Sequence, residues 1–181
     1  MFKPNQYPKV QTIYISLLVI VWSLYAYSRG IVMSPDSKVY SRWANVLIES
    51  NFNIFKFSGS INSEISPFFY YNFVTIAAIS KVLLGEHWGL GVVILNLAAG
   101  IFAAYLLLNA SWAITGKPAC TIYAGLFLLL CHDYYLWIPY VLSDTLFSLI
   151  SFSIFMLTIS FYQRPSKYLK KSIWIMILFF L

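Results

Sequence analysis

Charge is scarce in this chain. Only 10% of the 181 residues are charged, whereas soluble chains usually carry about 25%. Hydrophobic residues make up 60%, and the mean hydropathy is +0.75. A soluble domain of this size cannot bury so much apolar surface, which excludes a soluble enzyme or binding module. The apolar residues form runs long enough to cross hydrocarbon, so we predict an all-α polytopic membrane protein with one membrane domain over residues 1–181.

The chain has only two cysteines, and its sequence has no glycine-rich loop of the kind that binds phosphate. Cys120 and Cys131 lie eleven residues apart in one apolar segment, roughly 16 Å along a helix, which is too far for a disulfide. Gly85, Gly89 and Gly91 do not have the spacing of a nucleotide-binding loop, so we expect them in helix packing or a turn. The net charge is +6. The basic residues cluster between apolar segments, as membrane orientation requires, and do not alternate with aromatic residues as in a nucleic-acid-binding groove, which argues against a nucleic-acid partner.

Apolar segments divide the chain. Five of them precede the last basic cluster: Thr12–Ser28, Pro67–Leu84, Trp88–Ala110, Ala119–Tyr135 and Leu142–Tyr162. A sixth begins at Ser172 and reaches Leu181, and its ten residues cover only about 15 Å as helix, half a bilayer. We therefore expect the chain to be truncated within its last span. Ala26-Tyr27-Ser28 faintly resembles a signal-peptidase site, but the many later segments favour an uncleaved first span.

The basic residues predict the topology. By the positive-inside rule, the N-terminus and the last basic cluster are both cytoplasmic (Lys3, Lys9, Arg164, Lys167, Lys170, Lys171). Two points on one side require an even number of crossings, so one of the five segments does not cross. We expect this to be Pro67–Leu84, either as a helix embedded in the outer leaflet or as a tilted juxtamembrane helix, because it starts with proline and contains Asn72, Ser80 and Lys81. The alternative is that Ala119–Tyr135 and Leu142–Tyr162 are not separate spans.

This topology brings the acidic residues to one side. The region from Arg29 to His87 and the loop from Cys131 to Ser143 then lie outside, and Lys117 lies in the cytoplasm. All six acids fall at or beyond the outer interface (Asp36, Glu49, Glu64, Glu86, Asp133, Asp144). Because the acids were not used to choose the topology, their clustering favours a catalytic face on the outside of an integral multi-pass protein of the cell membrane.

The stretch Met33–Asn53 is the strongest candidate for function. We predict an amphipathic helix starting at Asp36, with one apolar stripe (Val39, Trp43, Val46, Leu47, Ser50) and polar residues off it (Lys38, Arg42, Asn45, Glu49). It lies between strongly apolar regions, so we expect it flat in the membrane interface. Asp36 is then either an acid for chemistry on a lipid-linked substrate or, after Pro35, an ordinary helix-start residue.

Two further acids are candidates. Asp144 follows the break at Pro139-Tyr140 and opens a span, where an ionisable group is costly unless it is hydrated, paired or functional. The alternative is that Ser143 caps that helix and Asp144 interacts favourably with the helix dipole. Glu64 precedes the juxtamembrane helix, and its alternative is a solvated loop carboxylate.

These elements together resemble the GT-C superfamily of membrane glycosyltransferases. The superfamily includes protein O-mannosyltransferase-like enzymes, lipid A aminoarabinose transferases and catalytic subunits of oligosaccharyltransferase. The resemblance covers nearly the whole chain as the N-terminal part of that fold. The motifs that resemble the family come after the first span. The first is Pro35-Asp36 with Tyr40 and Ala44, and the second is P-F-F-Y-Y from Pro67 to Tyr71, which leads to Leu84-Gly85. Two spans follow, and then the motif S-D-T-L-F from Ser143 to Phe147. A helical bundle with juxtamembrane helices in the first external loop is implied.

The resemblance also implies residue roles. An essential acid in the first external loop serves as base or metal contact and maps onto Asp36, while an acid at the outer end of a later span maps onto Asp144. Glu64 is the nearest match to a third acid. The implied donor is a sugar on a polyprenyl phosphate, and the acceptor is a lipid, glycan or protein. Candidate cations for the donor phosphate are Arg29, Lys38, Arg42 and Lys81.

The sequence leaves open whether a metal ion is bound and also allows two other functions. A divalent ion, Mg²⁺ or Mn²⁺, bridging Asp36 and Asp144 is compatible with carboxylate oxygen ligands. A transporter or flippase component is the first alternative function, and it predicts charged residues or broken helices near the bilayer centre. Asn96 is the main polar exception inside the spans. The second alternative, a non-catalytic membrane scaffold, predicts that the outer acids vary without effect.

Overall fold

The computed structural model describes residues 7–60 and 70–143, and also residues 147, 151, 154, 155 and 158; the side chains of residues 7, 8 and 58–60 are excepted. Helices contain 85% of the described residues, and none of these residues forms a strand, which confirms the all-α prediction. Two helical stretches in this part are long and apolar enough to cross a membrane. They are Lys9–Arg29 and the 45-residue stretch Tyr71–Thr115.

Seven α-helices and one 3₁₀ turn follow one another in the described residues up to Tyr135. They are α1 (Tyr7–Arg29), α2 (Pro35–Glu49), α3 (Ile54–Ser60), α4 (Tyr71–Leu84), the 3₁₀ turn Gly85–His87, α5 (Trp88–Thr115), α6 (Pro118–Leu130) and α7 (His132–Tyr135). Proline occupies the start of both α2 and α6, where its missing N–H would have no helical partner anyway. The second candidate span therefore consists of α4, the 3₁₀ turn and α5.

The chain divides into two compact units. The first holds the described parts of Met1–Leu24, Ala98–Leu136 and Phe147–Leu181, and the second those of Tyr25–Leu97 and Trp137–Leu146. In the first unit α6 approaches α1 closely at Gly125. A Cβ added to this glycine would lie 2.6 Å from ring atoms of Tyr14. Trp22 is fully buried there, with its ring centroid 5.4 Å from that of Tyr134.

In the second unit α2 packs against α4. The buried residues of α2 are Ser37, Tyr40, Ala44 and Leu47, and those of α4 are Phe73, Val74, Ala77, Ala78 and Ser80. The predicted apolar stripe is therefore wrong by a rotation about the helix axis: of its members only Leu47 is buried. The polar residues predicted off the stripe are all exposed, as expected.

A tight turn links α2 to α3. Asn51 and Phe52 have φ angles of 54° and 60°, a left-handed conformation that costs a non-glycine residue about 1–2 kcal/mol. Backbone hydrogen bonds hold the turn, from Phe52 N–H to the Leu47 carbonyl at 2.9 Å and from Asn53 N–H to the Ser50 carbonyl at 3.1 Å. The side chain of Asn53 then accepts the N–H groups of Phe55 and Lys56 and caps α3.

The glycines near the start of α5 act in packing and turning, as predicted. Gly85 ends α4 with a φ of +57°. A Cβ on Gly91 would lie 2.6 Å from Ser80 Oγ, and one on Gly89 would lie 2.8 Å from a methyl group of Ile31. Side chains at these two positions would force α5 away from its neighbours.

The apolar segment Ala119–Tyr135 is not one helix. α6 ends at Leu130, and Cys131 has an extended ψ of 91°, after which the four-residue α7 follows. Cys120 and Cys131 are both free thiols and half-buried, which agrees with the prediction that they are too far apart for a disulfide.

Candidate functional site

The two stretches that the sequence singles out meet in the second unit. Val32 N–H donates to the Pro139 carbonyl at 3.0 Å, and Val141 N–H donates to the Val32 carbonyl at 3.0 Å. These bonds form an isolated parallel bridge between Val32 and Tyr140. The segment entering α2 is thus joined to the segment that leads to Ser143, and this joint consists of Val32 and residues 139–141.

Two side chains of α2 strengthen this joint. The Ser37 hydroxyl accepts the N–H of Ser34 at 2.9 Å and donates to the Val141 carbonyl at 2.7 Å. One turn later, the hydroxyl of Tyr40 lies 2.8 Å from that of Ser143 in a buried contact. Both hydroxyls would be costly to bury without such partners, so these bonds determine where the segment 141–143 lies along α2.

Asn96 supports the joint from α5. Its side chain is fully buried, and its amide group donates to the Tyr140 carbonyl at 3.0 Å and to the Ile138 carbonyl at 3.4 Å. The irregular segment 137–142 has no helical ladder to satisfy these carbonyls, so Asn96 supplies the donor. The sequence marked Asn96 only as a polar exception in an apolar segment; it had no signal for this partner.

Asp36 lies in the first turn of a fully capped helix. Ser34 is the N-cap, Pro35 is the first helical residue, and Ser34 and Ser37 form a reciprocal capping box. The carboxylate is exposed and lies where the helix dipole favours a negative charge. The helix-start role of Asp36 is therefore present, and its predicted role in chemistry stays a prediction.

The candidate cations on α2 point away from Asp36. Lys38 and Arg42 follow Asp36 by two and six positions, about 200° and 240° around the helix axis, and both are exposed. Arg29, at the end of α1, is also exposed, and its guanidinium lies 5.7 Å from the ring centroid of Tyr25. The structure does not gather these cations with Asp36 on one face of α2.

Lys81 reaches the same side of α2 from α4. Its ammonium lies 2.9 Å from the carbonyl oxygen of Ser41, 2.8 Å from Ser41 Oγ and 2.7 Å from Asn45 Oδ1. These three acceptors match the three N–H groups of a lysine, and the ring centroid of Trp88 lies 5.4 Å from Nζ. Lys81 therefore ties α4 to α2, and a phosphate would have to displace one of its acceptors.

Two of the three predicted acids, Glu64 and Asp144, lie outside the described residues, so the predicted carboxylate pair and its Mg²⁺ or Mn²⁺ ion stay predictions. Within the described residues there is no group of three or more histidine, cysteine or acidic side chains able to hold a metal ion. The described acids Asp36, Glu49, Glu86 and Asp133 are all exposed.

The geometry does bring the neighbours of the two main acids together. Asp36 and Tyr40 are four residues apart and share a face of α2, and Tyr40 contacts Ser143, the residue before Asp144 in the chain. Ser37, Tyr40 and Asn96 were absent from the predicted site. Their partners lie more than 40 positions away, beyond the reach of helical periodicity.

Comparison with known proteins gives no relative for this arrangement: no protein-family model, no curated protein and no solved structure matches the chain.

Proposed function

We propose that this chain is a multi-pass membrane glycosyltransferase of the GT-C type, or the N-terminal portion of one. It transfers a sugar from a polyprenyl phosphate to an acceptor on the outer face of the membrane. The observation that carries this proposal is the contact between Tyr40 and Ser143, which joins the helix that bears Asp36 to the segment that leads to Asp144.

The joint supports a site with two acids. Ser37 and Tyr40, one and four residues after Asp36, both bond to residues between Val141 and Ser143. Neither bond is needed for α2 to form, since the capping box and Pro35 already start the helix. Their effect is to hold the helix that bears Asp36 beside the segment that ends at Ser143, and such a pairing supports a transferase that uses two carboxylates.

The proposed reaction is a displacement at the anomeric carbon. The acceptor hydroxyl or amine gives its proton to the carboxylate of Asp36, and its oxygen or nitrogen forms the new bond to the sugar. The bond between the sugar and the phosphate oxygen breaks, and the polyprenyl phosphate leaves with the electron pair. Asp36 is exposed to receive the acceptor, and a general base at such a position typically contributes about 10²–10⁴ in rate.

The cationic side of α2 supports a role in attracting the anionic donor to the membrane interface. Lys38 and Arg42 are exposed there, and Lys81 reaches the same side through Ser41 and Asn45. Because Asp36 lies on the opposite side of the helix, and the donor phosphate is bonded to the reacting carbon, these cations attract the donor to the interface but do not hold its phosphate during transfer. Arg29 and the undescribed acids Glu64 and Asp144 complete the proposed set.

The test is transfer by the full-length protein in membranes, with Asp36→Asn. A panel of undecaprenyl-phosphate- and dolichyl-phosphate-linked hexoses and pentoses serves as donors. We expect Asp36→Asn to abolish transfer while the amount of protein in the membrane is unchanged. Glu49→Gln is the matched control, because Glu49 is an exposed acid of the same helix outside its first turn. Equal transfer by the wild type and Asp36→Asn would reject Asp36 as base or metal contact.

A non-catalytic scaffold is the second candidate, and one observation favours it. Asp36 and Lys81, two of the predicted functional residues, already have structural roles, in a capped helix start and in a tie between helices. The scaffold predicts that the wild-type protein transfers no sugar from any donor of the panel, and that Asp36→Asn leaves the abundance of its membrane partners unchanged.

A further inference from the structure

The corner between α2 and α3 presents two phenylalanines outward. Phe55 is 82% exposed and Phe52 is 40% exposed. The opposite side of α3 is anchored by Phe57, which is buried with its ring centroid 6.0 Å from that of Tyr71. The corner is therefore a built element of the unit, held from within, with its largest apolar groups directed away from the core.

The backbone of the corner restrains the direction of these two rings. Phe52 occupies a left-handed position, with a φ of 60°, where glycine or asparagine would be less strained. The Ser50 hydroxyl donates to the Leu47 carbonyl at 2.8 Å, and the Asn53 side chain caps α3, so the turn has little freedom to fold its rings inward. In water, the exposed phenyl rings would be unfavourable.

The exposed surface of α2 and α4 is divided into a polar and an apolar side. The outer face of α2 carries exposed charged and amide groups (Lys38, Arg42, Asn45, Glu49), whereas the outer face of α4 carries exposed aliphatic groups (Ile79, Val82, Leu83, Leu84). α4 belongs to one of the two stretches able to cross a membrane. Such a division suits a unit that lies at the boundary between water and lipid.

We infer that Phe52 and Phe55 insert into the bilayer at headgroup depth and anchor the α2–α3 corner to the membrane. The occupant of this surface is phospholipid, whose acyl and glycerol region accepts phenyl rings while leaving the charged face of α2 in water. Insertion of these rings requires only that the protein lies in a membrane, and it does not depend on sugar transfer.

The experiment places a fluorescent reporter on the corner. Cys120 and Cys131 are replaced by serine, and a single cysteine at Phe55→Cys or Phe52→Cys carries an NBD group. The full chain is reconstituted in vesicles of phosphatidylcholine with a minority of phosphatidylglycerol. Glu49→Cys is the matched control, since it lies exposed on the same helix–turn–helix element, on the polar face. Phe55 has few packed neighbours, so the reporter leaves the fold intact, which helix content by circular dichroism verifies.

We expect NBD at positions 55 and 52 to emit at shorter wavelength than at position 49, to be quenched by brominated phosphatidylcholine, and to be protected from iodide. Emission and iodide quenching equal to those at position 49 would overturn the inference, because the corner would then lie in water. A blue-shifted emission that ignores brominated lipid and disappears when the protein is diluted into excess lipid would also overturn it, in favour of a second copy of the chain.

Discussion

The hydroxyl of Tyr40 lies 2.8 Å from the hydroxyl of Ser143, in a buried contact between residues 103 positions apart. The same tyrosine ring lies edge-on to Phe73, with centroids 4.8 Å apart. Tyr40 therefore belongs to the α2–α4 core through its ring and to the joint with segment 141–143 through its hydroxyl. Changes to the hydroxyl alone separate these two roles.

Tyr40→Phe tests the joint. The substitution keeps the ring contacts and leaves the buried hydroxyl of Ser143 without Tyr40, so we expect a loss of about 1 kcal/mol of stability. Thermal unfolding in detergent measures the loss. Tyr27→Phe is the control, because that ring is 87% exposed and its hydroxyl change is expected to be neutral. Identical melting of the two variants would remove Tyr40 from the joint.

Asn96→Leu tests the support of the irregular segment. Leucine is similar in size but cannot donate to the carbonyls of Ile138 and Tyr140, and buried carbonyls without a donor cost about 1–3 kcal/mol. We expect faster deuterium exchange in the peptide 136–143, read by mass spectrometry. Asn109→Leu is the control, since the Asn109 amide donates to the carbonyl of Tyr105, one turn earlier in its own helix. Unchanged exchange in that peptide would contradict the assignment.

Lys81→Met tests the tie between α4 and α2. It removes the three hydrogen bonds to Ser41 and Asn45 and keeps much of the aliphatic chain, so we expect a loss of about 1.5–3 kcal/mol. Lys38→Met, on the exposed face, should change stability by less than about 0.5 kcal/mol. If Lys81→Met melts like the wild type but loses binding of a polyprenyl-phosphate sugar, its main role is phosphate binding.

Gly125→Ala tests the close approach of α6 to α1. The new Cβ would lie 2.6 Å from ring carbons of Tyr14, and overpacking of this kind costs typically about 1–3 kcal/mol. Tyr14→Ala removes the obstructing ring, so the double variant should recover part of the loss caused by Gly125→Ala. Additive effects of the two substitutions would show that the residues do not touch.

Cysteine labelling in intact cells tests the predicted orientation. In a background without Cys120 and Cys131, a cysteine at Glu49 should react with a membrane-impermeant thiol reagent, and one at Lys117 should not. Both positions are exposed in the structure, so burial does not explain a difference. Labelling of Lys117→Cys but not of Glu49→Cys would reverse the orientation, and labelling of both would mean that the number of crossings between them is even.

Local features were the ones that the sequence could predict. The predicted start of α2 at Asp36, after Pro35, is within one residue of the observed start, and α1, α4 and α5 occupy segments recognised from their apolar runs. The start of α6 at Pro118 was recognised within one residue, but its end at Leu130 was missed because Cys131, His132 and Asp133 lie among apolar neighbours. Hydropathy reports composition and does not report an extended ψ at a single residue.

Contacts between distant residues were the ones that it could not predict. The buried face of α2 contains Ser37, whose hydroxyl looks like a helix cap until Val141 is placed beside it. Ser37, Tyr40 and Ala44 thus join Leu47 on the packed face, while Val39, Trp43 and Val46 stay half-buried at its border. A hydrophobic stripe ranks residues by polarity, and here hydrogen bonding to a second segment outweighs that ranking.

The pairing of Val32 with the segment 139–141 has a consequence for biogenesis. Ser37 meets the carbonyl of a residue that is synthesised 104 positions later, and ribosomes add about 5–20 residues per second. The nascent α2 therefore waits roughly 5–20 s for its partner, with unsatisfied peptide groups exposed while later helices enter the membrane. An insertase or chaperone that shelters the nascent segment during this interval would find its client in the stretch between Gly30 and Ser37.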